Sequence, residues 1–197
     1  MLVSGGNVST RSAKGEPVNK LRTLAIVAAL AIATPVEAIT LNIVAIGASN
    51  TWGLGVFWDN AYPAVLQALL RQKGIDANVV NSGVLLDRTS WMLRRLDSAV
   101  PEGTHIVILQ PGANDLRFFG TKEERAANIT AMVNRLLARR IRVIVYDPEP
   151  IPPDAYQWDR IHFNAEAHAK IAARLAAQIM AAANPQAPGS AEIISRY

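Results

Sequence analysis

Three short segments of the sequence carry residue types that could together perform acyl transfer. The first, Ile46-Gly47-Ala48-Ser49-Asn50-Thr51, places a serine where an apolar run turns into the next element. A hydroxyl there projects from the end of a strand, but serine is a weak nucleophile until a base takes its proton. The last, Trp158-Asp159-Arg160-Ile161-His162-Phe163-Asn164, can supply that base. Asp159 and His162 are three residues apart, a spacing that in a turn-like conformation brings both side chains to one face. The carboxylate can then bind one imidazole nitrogen, fix the tautomer and leave the other nitrogen as base. The middle segment, Gln110-Pro111-Gly112-Ala113-Asn114-Asp115, is a tight turn that can aim the Asn114 amide at a developing oxyanion. Each segment alone has a plainer reading as turn chemistry, such as an Asn bonding its own backbone. The signal lies in their order and in their common placement just after apolar runs.

Those runs define the scaffold. Residues 41–46, 77–81, 105–110 and 142–146 read as short buried strands. Between them lie helical patterns. Tyr62, Val65, Leu66, Leu69 and Leu70 share one face and are stopped by Gly74, while 89–99 forms a short helix ahead of Pro101. Ile129, Met132, Val133, Leu136 and Leu137 mark a long helix, and the Ala-rich stretch 165–182 a final one, with Asn164 placed to cap it. Strands alternating with helices predict an α/β fold, a three-layer αβα sandwich around a short parallel sheet of four to five strands. In such sheets a site lies outside the carboxyl ends of the strands. Segments 47–55, 82–89, 112–116 and 147–162 occupy those ends and hold nearly every polar residue of chemical interest. His105 begins a strand and His168 sits within the last helix, so both read as bystanders. The pairs Arg94/Arg95 and Arg139/Arg140 read as solvated helix face.

The ordered set resembles the SGNH, or GDSL-like, hydrolases, and most closely their thioesterase I/lysophospholipase L1 branch. Gly47-Ala48-Ser49 corresponds to the family's G-D-S block, Gly112-Ala113-Asn114-Asp115 to G-x-N-D, and Asp159 with His162 to D-x-x-H. Val79-Val80-Asn81-Ser82-Gly83-Val84 resembles the V-V-N-A-G-V that leads into the second block. The likeness runs over about residues 41–182. It implies Ser49 as nucleophile, His162 as base, Asp159 as its orienter, and an oxyanion hole from Asn114 and the N–H groups of Ser49 and Leu86, with Gly83 in place of Leu86 if the second block is shifted. It implies hydrolysis of carboxylic esters or thioesters such as lysophospholipids, acyl thioesters or aryl esters through an acyl-enzyme, with no metal or organic cofactor. The chain lacks a G-x-S-x-G elbow, which argues against an α/β-hydrolase.

Three departures stand out. Ala48 replaces the Asp beside the nucleophile. Leu86 takes the place of the second-block Gly, although Leu resists positive φ. Only about a dozen residues separate Tyr146 from Asp159, where the family usually has a helix and a fifth strand, so the sheet is expected to stop at four. Trp52, Leu54, Phe57, Trp58, Leu85, Leu86, Phe118 and Phe119 lie in the site segments and can form an acyl-chain groove or an ordinary packed rim. Two alternatives follow: a carbohydrate O-acetylesterase, because aromatic loops also stack sugars, and a non-catalytic binding relative, given Ala48 and Leu86.

Composition fits this class. Of 197 residues half are hydrophobic and 18% charged, which permits a packed core. Cysteine is absent, so disulfides, thiolate metal sites and a Cys nucleophile are excluded. Lys20 and Arg22, the apolar run 24–33 and the small-residue site ending at Ala38 predict a signal peptide over 1–38 and a periplasmic or secreted protein beginning at Ile39. The run is shorter than a bilayer span needs, so no stable span is expected in the mature protein. The polar stretch before it is long for an n-region, which makes Val18 a candidate start. Without Arg11, Lys14, Lys20, Arg22, Glu16 and Glu37 the net charge falls from +4 to about +2, too little to suggest nucleic acid. Residues 39–183 are the expected hydrolase domain and 184–197 a loose tail. The expected partner is a small acyl ester or thioester, and the oligomeric state is left open.

Overall fold

The computed structural model describes residues 40–118, 120–146 and 152–183. The expected signal peptide, the Pro-rich stretch 147–151, Phe119 and the expected tail 184–197 lie outside the described residues. Four strands form one sheet: β1 (Leu41–Gly47), β2 (Ala77–Gly83), β3 (Ile106–Gln110) and β4 (Arg142–Val145). All pairings are parallel and the order is β2-β1-β3-β4, so among the described residues the sheet has four strands.

The strand sequences explain the layers. Successive side chains of a strand point to opposite faces, and β1 and β3 are apolar on both. Ile43 and Ala45 of β1, with Ile106 and Ile108 of β3, pack on α2 (Tyr62–Gln72) and α7 (Ala165–Ala183) through Leu66, Leu70, Ile171 and Leu175. Val44, Ile46, Val107 and Leu109 face the other way, onto Met92 of α3 (Thr89–Arg94), Leu96 of α4 (Leu96–Ala99) and Ile129, Met132 and Leu136 of α6 (Lys122–Ala138). Two cores on opposite faces of one sheet make the three-layer sandwich.

Helix ends follow their local chemistry. In α6 the Thr121 hydroxyl accepts from the Glu124 N–H at 3.1 Å and the Glu124 carboxylate accepts from the Thr121 N–H at 3.0 Å, a reciprocal cap. Asn164 caps α7 by accepting the Ala167 N–H at 2.9 Å. The single helix expected over 89–99 is instead two, α3 and α4, separated at Arg95. The apolar spacing continues across the break, so the cause lies in what Arg95 binds, described below.

The sheet register places the chemistry. Gly47 pairs with both Gly83 and Gln110, so β1, β2 and β3 end level with one another. The turn after β1 enters the one-turn helix α1 (Ser49–Trp52), and the turn after β3 enters the one-turn helix α5 (Asn114–Arg117). Strand order reverses at β1, which is where open α/β sheets form a crevice. Gly83 permits the close approach of β2 to α1: a Cβ there would lie 2.2 Å from the Trp52 nitrogen. We expect Gly83→Ala to force these backbones apart and cost about 1–3 kcal/mol, as overpacking does. Urea unfolding checks this, and an unchanged midpoint contradicts it.

Candidate active site

Ser49 is the first residue of α1, immediately beyond the β1 turn. Two residues on, Thr51 is fully buried and donates from its hydroxyl to Gln110 Oε1 at 2.6 Å. That commits the Thr51 proton, so the Tyr62 hydroxyl donates to Thr51 Oγ1 at 3.2 Å. The relay fastens the serine turn to the end of β3.

The structure brings Ser49, His162 and Asp159 into one hydrogen-bonded line. His162 Nε2 lies 3.0 Å from Ser49 Oγ, and His162 Nδ1 lies 2.5 Å from Asp159 Oδ2. A carboxylate accepts only, so Nδ1 carries the proton and Nε2 is the acceptor facing the serine. The second carboxylate oxygen accepts the backbone N–H groups of Ile161 at 2.9 Å and His162 at 3.0 Å. The His162 backbone N–H, the imidazole and the Ile161 N–H together hold the Asp159 carboxyl down at about 2. It therefore stays ionised and serves as a fixed acceptor.

The described stretch carrying these two residues, 152–164, adds no strand to the sheet. It is tied down by side chains that the sequence reading did not single out. Asn50, next to Ser49, accepts the Phe163 N–H at 3.0 Å and donates to the Ile161 carbonyl at 3.4 Å. Gln157 Nε2 donates to the carbonyls of Leu54 at 2.7 Å and Phe163 at 2.8 Å, and an isolated antiparallel bridge joins Tyr156 to Phe163.

Asn114 begins α5, one turn beyond Gly112, whose φ of +66° suits only glycine without strain. Its Nδ2 donates one hydrogen to the Asp87 carbonyl at 2.9 Å and has a second to offer. Asp115 is buried and accepts the Thr89 N–H and, at 2.6 Å, the Thr89 hydroxyl, which pins this turn to α3. Leu86 adopts φ +59°. The chain thus takes the glycine-like conformation that leucine was expected to resist, at a cost of roughly 1–2 kcal/mol. The Ser49 and Leu86 N–H groups have no protein acceptor among the described residues. Gly83 is otherwise engaged. Its N–H donates to Asn81 Oδ1 at 3.0 Å and it packs on α1, so the shifted assignment to Gly83 gives no free donor. Ala48 is buried in the core beneath the turn.

Arg95 corrects the reading of the Arg94/Arg95 pair as solvated face. It forms an ion pair at 2.8 Å with Asp87, whose side chain is 2% exposed, and donates to the Ser82 carbonyl at 2.9 Å and the Gly47 carbonyl at 3.4 Å. One guanidinium thus gathers the ends of β1 and β2 and the Asp87 turn, and α3 breaks at the residue that must reach them. Burial pushes the Asp87 carboxyl up, and Arg95 opposes that. Arg139 also turns inward, donating to the Val100 carbonyl at 2.7 Å, whereas Arg94 and Arg140 are exposed.

The space at Ser49 is a hollow of about 50 Å³ lined by Ala48, Ser49, Asn50, Gln110, Asn114, Arg117 and Ile161, among others. Of the aromatics proposed for an acyl groove, Trp52, Phe57, Trp58 and Phe118 do not line it. Phe57 and Trp58 are strongly exposed, and Trp52, Leu85, Leu86 and Phe118 partly so. A larger cavity of about 220 Å³, lined by Tyr146, Asp154, Glu166, Lys170 and Arg174, contains none of these site residues. His105 accepts the Asn42 N–H near the other end of the sheet. His168 is buried beside Tyr62, accepts its N–H at 3.2 Å and is pushed down to about 4 by burial. Among the described residues no group of three or more His, Asp or Glu side chains could hold a metal ion, and no helix is long and apolar enough to cross a membrane.

The profile of the GDSL-like lipase/acylhydrolase family matches residues 45–190, most of the chain. The chain belongs to that family. As a member it is an ester-hydrolysing enzyme that acts on small-molecule esters. Its fold is similar to the psychrotrophic esterase EstA from Pseudoalteromonas sp., with 19% identity and a TM-score of 0.61 over 71% of this chain and 96% of that one. It is equally similar to TesA, at 20% identity and a TM-score of 0.61 over 71% and 96%. The lipase/acylhydrolase from Enterococcus faecalis matches at 20% identity and a TM-score of 0.60 over 71% and 95%. No curated protein sequence matches the chain significantly.

Two outcomes follow from the charges. Arg95→Met leaves the Asp87 carboxylate buried without its partner, which we expect to cost about 3–5 kcal/mol in urea unfolding; a loss under 1 kcal/mol would show the pair to be dispensable. Asp159 is held below its ordinary value of 3.8, so its stabilising effect is complete above that value and is lost as pH falls toward about 2. The stability gap between wild type and Asp159→Asn should therefore close across that window, and a gap that widens there contradicts the assignment.

Proposed function

We propose that the chain is a serine esterase working through an acyl-enzyme, with Ser49, His162 and Asp159 as its catalytic set. The observation that carries the reading is the aligned pair of hydrogen bonds, Nε2 to Ser49 Oγ at 3.0 Å and Nδ1 to Asp159 at 2.5 Å. His162 takes the Ser49 proton as Oγ attacks the ester carbonyl carbon. The carbonyl oxygen becomes an oxyanion facing the Ser49 N–H and the uncommitted hydrogen of Asn114 Nδ2, with the Leu86 N–H as a third donor. The intermediate collapses, the C–O bond to the leaving group breaks, and His162 returns the proton to the departing alkoxide. Water, deprotonated by His162, then attacks the acyl carbon, and the carboxylic acid leaves as Ser49 regains its proton.

The size of the hollow favours one part of the substrate range. About 50 Å³, lined by polar side chains together with Ala48, Ala113 and Ile161, suits a short acyl group such as acetyl better than a fatty chain. This supports an acetylesterase reading, including O-acetyl esters of carbohydrates, over lysophospholipids or long acyl thioesters. The leader pattern of residues 20–38 supports action outside the cytoplasm.

Hydrolysis of p-nitrophenyl esters from acetyl to palmitoyl tests both points on the protein beginning at Ile39. Ser49→Ala and His162→Ala should each lower kcat by about 10³-fold or more, and the rate should peak at the shortest acyl groups. Turnover that survives in Ser49→Ala sinks the serine mechanism; a maximum at long chains sinks the short-acyl reading alone.

A further inference from the structure

Arg117 supplies a positive charge to the substrate hollow. It ends α5 three residues after Asn114 and lines the same space as Ser49, Asn114 and Gln110. Its backbone N–H is used, donating to the Ala113 carbonyl at 3.3 Å. Its guanidinium has no ion pair or hydrogen bond among the described residues. No acidic residue lines the hollow.

Three carboxylates of the surrounding turns are committed elsewhere. Asp159 is bound by His162 and the Ile161 N–H, Asp87 by Arg95, and Asp115 by Thr89. Among the described residues lining the hollow, none compensates the positive charge beside the nucleophile. Arg88, a second cation of these turns, is occupied, donating to the Phe118 carbonyl at 3.0 Å and stacking 4.4 Å from the Trp91 ring centroid. A planar guanidinium with free donors matches a carboxylate or phosphate in a two-bond fork, and charge-assisted bonds of that kind are roughly twice as strong as neutral ones.

We propose that Arg117 is a specificity-determining residue that reads an anionic group, a carboxylate or phosphate, carried on the substrate beside the scissile ester. The proposal rests on Ser49 acting as the nucleophile. It narrows the substrate class from short-acyl esters in general to those bearing a negative charge within reach of α5. Arg117 does no chemistry of its own. It orients the ester by its charged end, so its contribution appears in substrate binding.

Two matched pairs of esters locate the anion. Mono-p-nitrophenyl succinate against p-nitrophenyl butyrate places the charge on the acyl side, and p-acetoxybenzoate against phenyl acetate places it on the leaving-group side. The wild-type enzyme should prefer the anionic member of one pair by about tenfold in kcat/KM, mostly through KM, because a solvent-exposed charged bond retains only part of its strength. The preference should shrink in about 0.5 M salt, which screens exposed charges. Arg117→Gln should bring the ratio to about one, and Arg117→Lys should keep part of it. The proposal is overturned if neither pair shows a preference, if Arg117→Gln leaves the ratio unchanged, or if it slows both members of a pair by the same factor. Absence of hydrolysis for all four esters by the wild-type enzyme would instead remove the serine-esterase reading, and this proposal with it.

Discussion

Asn50 joins the two halves of the candidate chemistry. It follows Ser49 directly, and its amide accepts the Phe163 N–H while donating to the Ile161 carbonyl. A backbone segment 113 residues away in sequence is thereby held against the serine turn, with His162 between the two contacts. A hydrogen bond between Ser49 and His162 needs placement within a few tenths of an ångström. Beside the amide, Gln157, which holds the Leu54 and Phe163 carbonyls, and Phe163, buried in the core, set that spacing. Regular structure adds little among the described residues of this segment, a 3₁₀ turn at Pro153–Ala155 and an isolated bridge. Among the described residues, His162 is thus set against Ser49 by side-chain contacts and the burial of Phe163 more than by regular structure.

Opposite this clasp, the serine turn rests on buried charge. Arg95 connects the Gly47 and Ser82 carbonyls and the Asp87 carboxylate, and Asp87 in turn offers its own carbonyl to Asn114. The oxyanion-side amide is therefore positioned by a turn that is itself positioned by an ion pair. Burial disfavours the ionised Asp87, and the paired guanidinium is what offsets it. A buried pair is weak evidence of added stability. Its value here is directional: it fixes three strand-end segments relative to one another. The strain at Leu86, roughly 1–2 kcal/mol, is sustained in that same turn.

Much of this frame is legible in the sequence, for identifiable reasons. Strands β1 and β3 are unbroken apolar runs buried on both faces, which is how central parallel strands read. Ser49, Asn114, Asp159 and His162 stand out because each sits in a turn whose spacing is local. The residues that hold them in register do not stand out. Asn50 and Gln157 are lone amides in loops, and their partners lie 113 and 103 residues away, a relation without periodicity. Arg95 follows Arg94 in a helical pattern and reads as surface, because the carbonyls it binds belong to strand ends distant in sequence. The break between α3 and α4 is hidden for the same reason, since the apolar positions continue through it. Leu86 shows the opposite failure: a sound local preference against positive φ is overridden by the tertiary context of the turn.

The clustering of Asp159 and His162 on one short segment has a consequence for heat and denaturant. Asp159 and His162 ride together on a half-exposed stretch, 157–162, held by side-chain amide contacts between Tyr156 and Phe163, which pack in the core, while Ser49 sits at the end of the central sheet. Segments with few buried contacts open well before a domain unfolds as a whole. Opening of residues 157–162 alone would carry off both partners of Ser49 in a single event, with Phe163 still seated in its core. The temperature at which such an enzyme falls silent reports the docking of that flap, and it can lie well below the melting point of the sandwich.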